Sequence, residues 1–326
     1  MEEEMARQSS IYGASSDQRP GIGSGRREFL RSLGLGAAGA AVLGTTATFS
    51  SEANAQAVTD AAILTFALNL EYLEAEFYLR AATDAGLPPQ DIGPDPGPVT
   101  GGAMVNFMGD ATVKAYAIEI AQEEHKHVQF LRAALTALTG SAISRPALDL
   151  SSSFAAAALI AGLGTGFSPY ADPNSFLLGA YIFEDVGVTA YHGAAPLIAN
   201  KVVLDKAAGI LAAEAYHAGI IRASLFVGGF ASKTTAISNL RASLDGTIHT
   251  QNQDDFGVGT TATPMIANLS NAMNGSLLGG FPSNSPPGNN AIAFDRTTRQ
   301  VLNIVYGGVN ATKGLFFPAG LNGPIR

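Results

Sequence analysis

Glu123-Glu124-His125-Lys126-His127 is the stretch on which the reading of this chain turns, and within it the pair Glu124 and His127. It lies in a segment of helical character, and 90 residues later the chain returns to the same idea with Glu214-Ala215-Tyr216-His217. Each copy is Glu-x-x-His. Three residues of helix turn through about 300°, so a Glu and the His three places on share one face. The echo runs further. Arg132 follows His127 by five residues, as Arg222 follows His217. Upstream, Glu71 precedes Tyr78 by seven residues, and Glu184 precedes Tyr191 by seven. Seven residues are nearly two turns, so each Tyr stacks over its Glu.

The resulting order is Glu, Glu-x-x-His, Glu, Glu-x-x-His. That is the ligand order of four-helix bundles that hold two metals in their core, with one Glu from each of two helices and one Glu-x-x-His from each of the others. The expected ligands are Glu71, Glu124, His127, Glu184, Glu214 and His217. Two divalent cations would neutralise their four carboxylates, and carboxylate with imidazole suits iron or manganese. Glu74, on the same face as Glu71, reads as a fifth carboxylate or as a hydrogen-bond partner just outside the ligands. Tyr78 and Tyr191 read as core residues, and Arg132 and Arg222 as ion-pairing or packing residues. Asp185 is placed to orient a ligating His from behind. His125, His192 and Glu76 fall off the inner faces, and Glu76 reads as solvated.

The 326 residues give room for one large domain or two modest ones. With 47% hydrophobic and 14% charged residues, a sizeable core is expected rather than disorder. The net charge is −8, and no basic tract lies outside the N-terminus, which argues against a nucleic-acid partner. There is no Cys, which excludes disulfides, thiol catalysis, Fe–S clusters and thiolate zinc sites.

The N-terminus reads as an address. Gly25-Arg26-Arg27-Glu28-Phe29-Leu30-Arg31 has the pattern of a twin-arginine export signal. A weakly apolar run follows from about Ser32 to Phe49, then Ala53-Asn54-Ala55 as a cleavage pattern before Gln56. Residues 1–55 are therefore expected to be a signal peptide. The protein is expected to leave the cytoplasm folded, for the periplasm or the extracellular space.

Along the rest of the chain, Thr59 or Asp60 is expected to cap a first helix ending near Thr83. A Pro- and Gly-rich loop follows from Ala85 to Gly102. Asp110 is expected to cap a second helix ending at Gly140. The connection Ser141–Ala171, with a short helix near Phe154–Ala161, is the one long crossover. Asp172-Pro173 opens a third helix running to about Gly193, and a fourth ends near Val227. Beyond Gly228 the spacing predicts a helix over 231–244 and a short one from Arg296 to Tyr306, capped by Asp295. The apolar tail is expected to pack back on the bundle. No alternation is strong enough for a β domain.

The run Leu68-Asn69-Leu70-Glu71-Tyr72-Leu73-Glu74-Ala75-Glu76-Phe77-Tyr78 resembles the opening helix of the ferritin-like family that includes desiccation-related proteins. The tail resembles those proteins too, from Arg299-Gln300-Val301-Leu302-Asn303-Ile304-Val305-Tyr306-Gly307 to Phe316-Phe317-Pro318-Ala319-Gly320-Leu321-Asn322-Gly323. The Glu…Tyr and Glu-x-x-His spacings are similar to those of bacterioferritin and rubrerythrin. The resemblance implies an all-α, ferritin-like four-helix bundle over 56–228, with an irregular and short-helical C-terminal extension over 229–326 packed on it. It also implies metal-ligand roles for the six residues named above. Two departures stand out. There is no rubredoxin-type Cys motif to supply rubrerythrin's electron path, and the C-terminal extension is foreign to a ferritin shell subunit.

Two functions are compatible with this reading. One is an exported dinuclear metalloprotein, a di-iron or di-manganese oxidoreductase acting as oxidase, ferroxidase or peroxide-handling stress protein. The other is a non-enzymatic desiccation- or stress-protective envelope protein with a structural or vestigial metal site. Expected partners are metal ions, O2 or peroxide, the twin-arginine machinery and, in a homo-oligomer, further copies of the chain.

Overall fold

The computed structural model describes residues 51–247, 254–259 and 293–326, with side chains from Asp60 onward. The twin-arginine stretch lies outside these residues. Four long helices form the core: α1 (Ser51–Thr83), α2 (Ala111–Thr139), α4 (Pro173–Ala194) and α5 (Lys201–Val227). The crossover carries α3 (Ser152–Ile160), and two further helices follow, α6 (Ala231–Asp245) and α7 (Thr298–Tyr306). The fold is all-α. Its only sheet among the described residues is a pair of three-residue parallel strands, β1 (Val99–Gly101) and β2 (Leu148–Leu150), which ties the α1–α2 loop to the crossover.

Local chemistry sets most helix ends. The Asp110 carboxylate accepts from the Val113 N–H at 2.9 Å, and α2 stops where Gly140 takes φ +86°. Asp172 accepts from Asn174 and Ser175, with Pro173 in the first turn where its missing N–H costs nothing. Asn200 does the same for α5. Along α2 the buried residues Val113, Ala117, Ile120, Glu124, Val128 and Leu131 recur at three- and four-residue steps, one stripe facing the core. In α4 every residue from Phe176 to Tyr191 is buried, so this helix is enclosed on all sides.

Four expectations are corrected. Helix α1 begins at Ser51, so Asp60 is an interior residue and not a cap. Its buried carboxylate instead accepts from the Ala199 and Asn200 N–H groups, both at 2.9 Å, and holds the turn before α5. Glu76 is wholly buried and not solvated. The loop after α1 and the crossover close over it, and Arg145 and Arg80 pair with its carboxylate. Helix α7 is capped by Thr297 with Gln300 in a capping box, not by Asp295. Asp185 orients no His; it binds arginines, as described below.

The tail lies against the bundle. Asn69 of α1 donates to the Asn322 carbonyl at 2.8 Å and accepts from the Asn322 N–H at 2.9 Å. Phe316 packs edge-on against Phe154 and Phe183, with ring centres 5.1 and 4.9 Å away, extending the cluster around Phe77.

Candidate metal centre

The two halves of the bundle, α1/α2 and α4/α5, repeat one another across the core. Tyr78 of α1 donates to Glu184 of α4, and Tyr191 of α4 donates to Glu71 of α1. Both carboxylates are buried, so each tyrosine satisfies one oxygen and turns the other inward. The arginines are paired within the halves. Arg132 reaches the Tyr72 hydroxyl, next to Glu71, and Arg222 reaches Asp185, next to Glu184, at 2.7 Å. Both therefore hold helices together and stay clear of the centre.

The inward atoms converge. One oxygen each of Glu71, Glu124 and Glu214 and a ring nitrogen of His127 lie within 4.8 Å of one another. Glu124, Glu184 and His217 form a second such group. Glu124 belongs to both. Its Oε2 is 3.2 Å from His127 Nδ1, and its Oε1 is 2.9 Å from His217 Nδ1. The two imidazole rings are 6.2 Å apart. All six expected residues thus meet at one level of the core.

Glu74 is buried near them but belongs to neither group. It stands three residues after Glu71, where the other half has Gly187, three after Glu184. A Cβ on Gly187 would come 2.2 Å from Glu214 Oε2 and 3.5 Å from Glu74 Oε1. The bare glycine is what lets the Glu214 carboxylate lie against α4.

Six buried donor atoms here have no hydrogen-bond partner: Glu71 Oε2, Glu124 Oε1, Glu184 Oε2, both oxygens of Glu214, and His217 Nδ1. His217 Nδ1 and Glu124 Oε1 are close but not aligned for a hydrogen bond. Buried polar atoms are rarely left so. Oxygen and imidazole donors turned together on a shared space fit cations of the iron or manganese type.

The electrostatics agree. Burial pushes the Glu71 carboxyl up to about 7 against the pull of His127. Burial, reinforced by neighbouring carboxylates, drives Glu74 and Glu214 well above the usual range, and burial raises Glu184. Glu124 is the exception. Burial opposes its charge too, but a hydrogen bond from His127 and the nearby charge of both histidines hold it low. Burial disfavours the imidazolium of His127, yet Glu71 and Glu124 lift it to about 12, and Glu184 and Glu124 move His217 the same way. The same carboxylates that crowd the core thus favour the charged form of both imidazoles.

One residue escaped the sequence reading. Glu123 accepts from His217 Nε2 at 2.8 Å, leaving Nδ1 to face the centre. Its counterpart before Glu214 is Ala213, which offers no such bond to His127. The Glu123–Glu124 doublet was visible, but the partner lies on α5 and no spacing within α2 reveals it. His125 binds Asp91 instead, and His192 faces the Phe294 carbonyl.

Comparison with known proteins gives the same frame. Residues 59–226 match the family described as ferritin-like domain. The chain is 33% identical over 177 residues to desiccation-related protein PCC13-62 of Craterostigma plantagineum, covering 52% of this chain and 53% of that protein. It is 27% identical over 288 residues to ferritin-like catalase Nec2 of Nesocodon mauritianus, covering 82% and 84%. The chain thus spans about half the length of the first relative and most of the second. No solved structure matches it.

Proposed function

The chain belongs to the ferritin-like domain family, and on that premise we propose that it is a dinuclear metalloprotein that disproportionates hydrogen peroxide. The proposed ligands are Glu71, Glu124, His127, Glu184, Glu214 and His217, holding two iron or two manganese ions. The observation that carries the reading is Glu124, one carboxylate reaching two His-bearing groups with its two oxygens. The similarity to a protein named a catalase supports peroxide as the substrate.

When bound, a pair of such metals supplies the two-electron capacity to split the O–O bond of one peroxide and to oxidise a second to dioxygen. The chain's own residues do the rest. Tyr78 and Tyr191 hold Glu184 and Glu71 in one orientation. Glu123 fixes the His217 tautomer through Nε2. Glu214 turns Oε1 toward His127 and Oε2 toward Gly187.

The test is dioxygen release from peroxide by the full chain loaded anaerobically with Mn(II) or Fe(II), alongside metal analysis. Wild type is expected to bind about two metals per chain and to evolve dioxygen, and Glu124→Ala to lose both properties. Equal metal content in the two proteins would overturn the assignment. The similarity to a desiccation-related protein favours a second reading, a protective protein with a structural metal. Two bound metals with a raised melting temperature and no dioxygen release would select it.

We also propose that the chain is exported by the twin-arginine route. Replacing Arg26 and Arg27 by Lys is expected to leave it in the cytoplasm; unchanged export would refute the route.

A further inference from the structure

Two apolar pockets adjoin one another on the side of the centre away from the α2–α5 face. The outer one lies among α3, α4, α6 and α7, lined by Ala157, Phe167, Ile237, Leu240 and their neighbours, with Arg241 its one charged residue. The inner one lies among α1, α4 and α7, lined by Leu70, Leu73, Phe183, Val186, Gly187 and Glu74, the last its one charged residue. Ile182, Ile304 and Phe316 belong to both and form the wall between them. Each gives about 20 Å³ for the centre of a water-sized molecule, above the ~10–15 Å³ that one such molecule needs.

The inner pocket ends at the metal centre. Gly187 lines it, and Glu214 Oε2 sits where a side chain on Gly187 would begin. Glu74 Oε1 lies beside the same point. One stretch of bare backbone thus separates an apolar pocket from a proposed metal ligand.

We propose that the two pockets form a dioxygen conduit between the outer pocket and the Glu214 side of the centre. This rests on the reading that the centre produces or consumes dioxygen. The lining selects the occupant. Water and hydrogen peroxide need several polar partners, which the outer pocket and most of the inner pocket's wall do not offer. Dioxygen is uncharged, apolar and of about the right size. Hydrogen peroxide has a polar approach elsewhere, on the α2–α5 face, where the side chains of His127 and Glu123 are 12% and 34% exposed. The conduit separates the apolar partner of the reaction from the polar one.

Xenon is the probe, because it occupies apolar cavities without chemistry. Crystals of the metal-loaded full chain under xenon are expected to show a xenon atom in each pocket. Ile304→Phe, filling the shared wall, should empty the inner site while metal content stays unchanged. The same variant, loaded with Fe(II) and mixed with dioxygen, should be oxidised about tenfold more slowly than wild type loaded in the same way. Ile304→Ala is the second variant, in case the larger ring disturbs packing; it should raise xenon occupancy and not slow oxidation. Absence of xenon from the inner pocket of wild type would overturn the conduit, as would unchanged oxidation in a metal-replete Ile304→Phe protein without inner xenon. Xenon in both pockets without peroxide turnover would leave the conduit standing and reject the catalase reading; turnover without inner xenon would do the reverse.

Discussion

The α1/α2 half and the α4/α5 half carry the same ligand pattern yet are held together by different forces. Where the first half places Arg132 on the neutral hydroxyl of Tyr72, the second places Arg222 on the charged Asp185. That pair opens a chain of buried charges. Arg241 of α6 binds Asp185 at 2.8 Å and Asp255 at 2.7 Å, and Arg296 joins Asp255 at 2.6 Å to Asp245 at 2.9 Å. Tyr181 lies under both Arg222 and Arg241. The sequence pattern of the centre repeats between the halves, whereas its support does not. The second half is bolted by charge to α6 and the residues before α7; the first is closed by Glu76, Arg80 and Arg145. A repeated ligand pattern therefore does not require a repeated scaffold behind it.

The comparison is broken most strongly at Asp185. Asp185→Ala leaves two buried guanidinium groups short of a partner and should cost about 3–5 kcal/mol in denaturant unfolding. Tyr72→Phe, the same place in the other half, removes one hydrogen bond to a charged donor and should cost about 1.5–3 kcal/mol at most. Equal losses would mean that the halves are supported alike.

A smaller effect would separate the two proposed metals. Glu123→Ala frees His217 Nε2 and should weaken one metal by about 10–100-fold, leaving the other near its wild-type affinity. Anaerobic titration should then resolve two unequal steps. Two metals weakened equally would show that Glu123 acts on the site as a whole.

The smallest effect is one of pH. Burial alone would raise the Asp255 carboxyl, but Arg241 and Arg296 hold it down to about 2 from an ordinary 3.8. A depressed folded value means that its stabilisation is complete above about pH 4 and is lost as the pH falls toward 2. Amide exchange should quicken first in α6 and at 254–255 over that window, before α1 and α2. Asp255→Asn should remove this dependence, and loss beginning in α1 would contradict it.

The fold was legible because its determinants are local and repeated. Asp110, Gly140 and Asp172-Pro173 mark helix ends within a few residues of where they act, and the Glu-x-x-His steps place the proposed ligands on one face. The six convergent residues follow from that periodicity. What escaped depends on distant chain. Glu76 sits opposite Glu71 on the wheel and reads as solvated until Arg145, 69 residues on, arrives to cover it. Glu123 gains meaning only from His217 on another helix, and Asp60 only from the turn at Ala199 and Asn200. Asp185, one residue from a proposed ligand, sits on the side of α4 that faces Arg222 and Arg241.

The clasp between Asn69 and Asn322 has a consequence in time. Asn69 is two residues from Glu71, whereas Asn322 lies 253 residues further along the chain. Phe316 and the carbonyl of Asn322 cannot meet α1, α3 or α4 until everything between has been made. The four long helices can assemble earlier, but the wall beside Glu74 and Gly187 waits for Ile304, Val305 and Phe316. A still-growing polypeptide that has not reached Phe316 thus leaves this side of its carboxylates open, and the centre is enclosed only after the helices around it have formed.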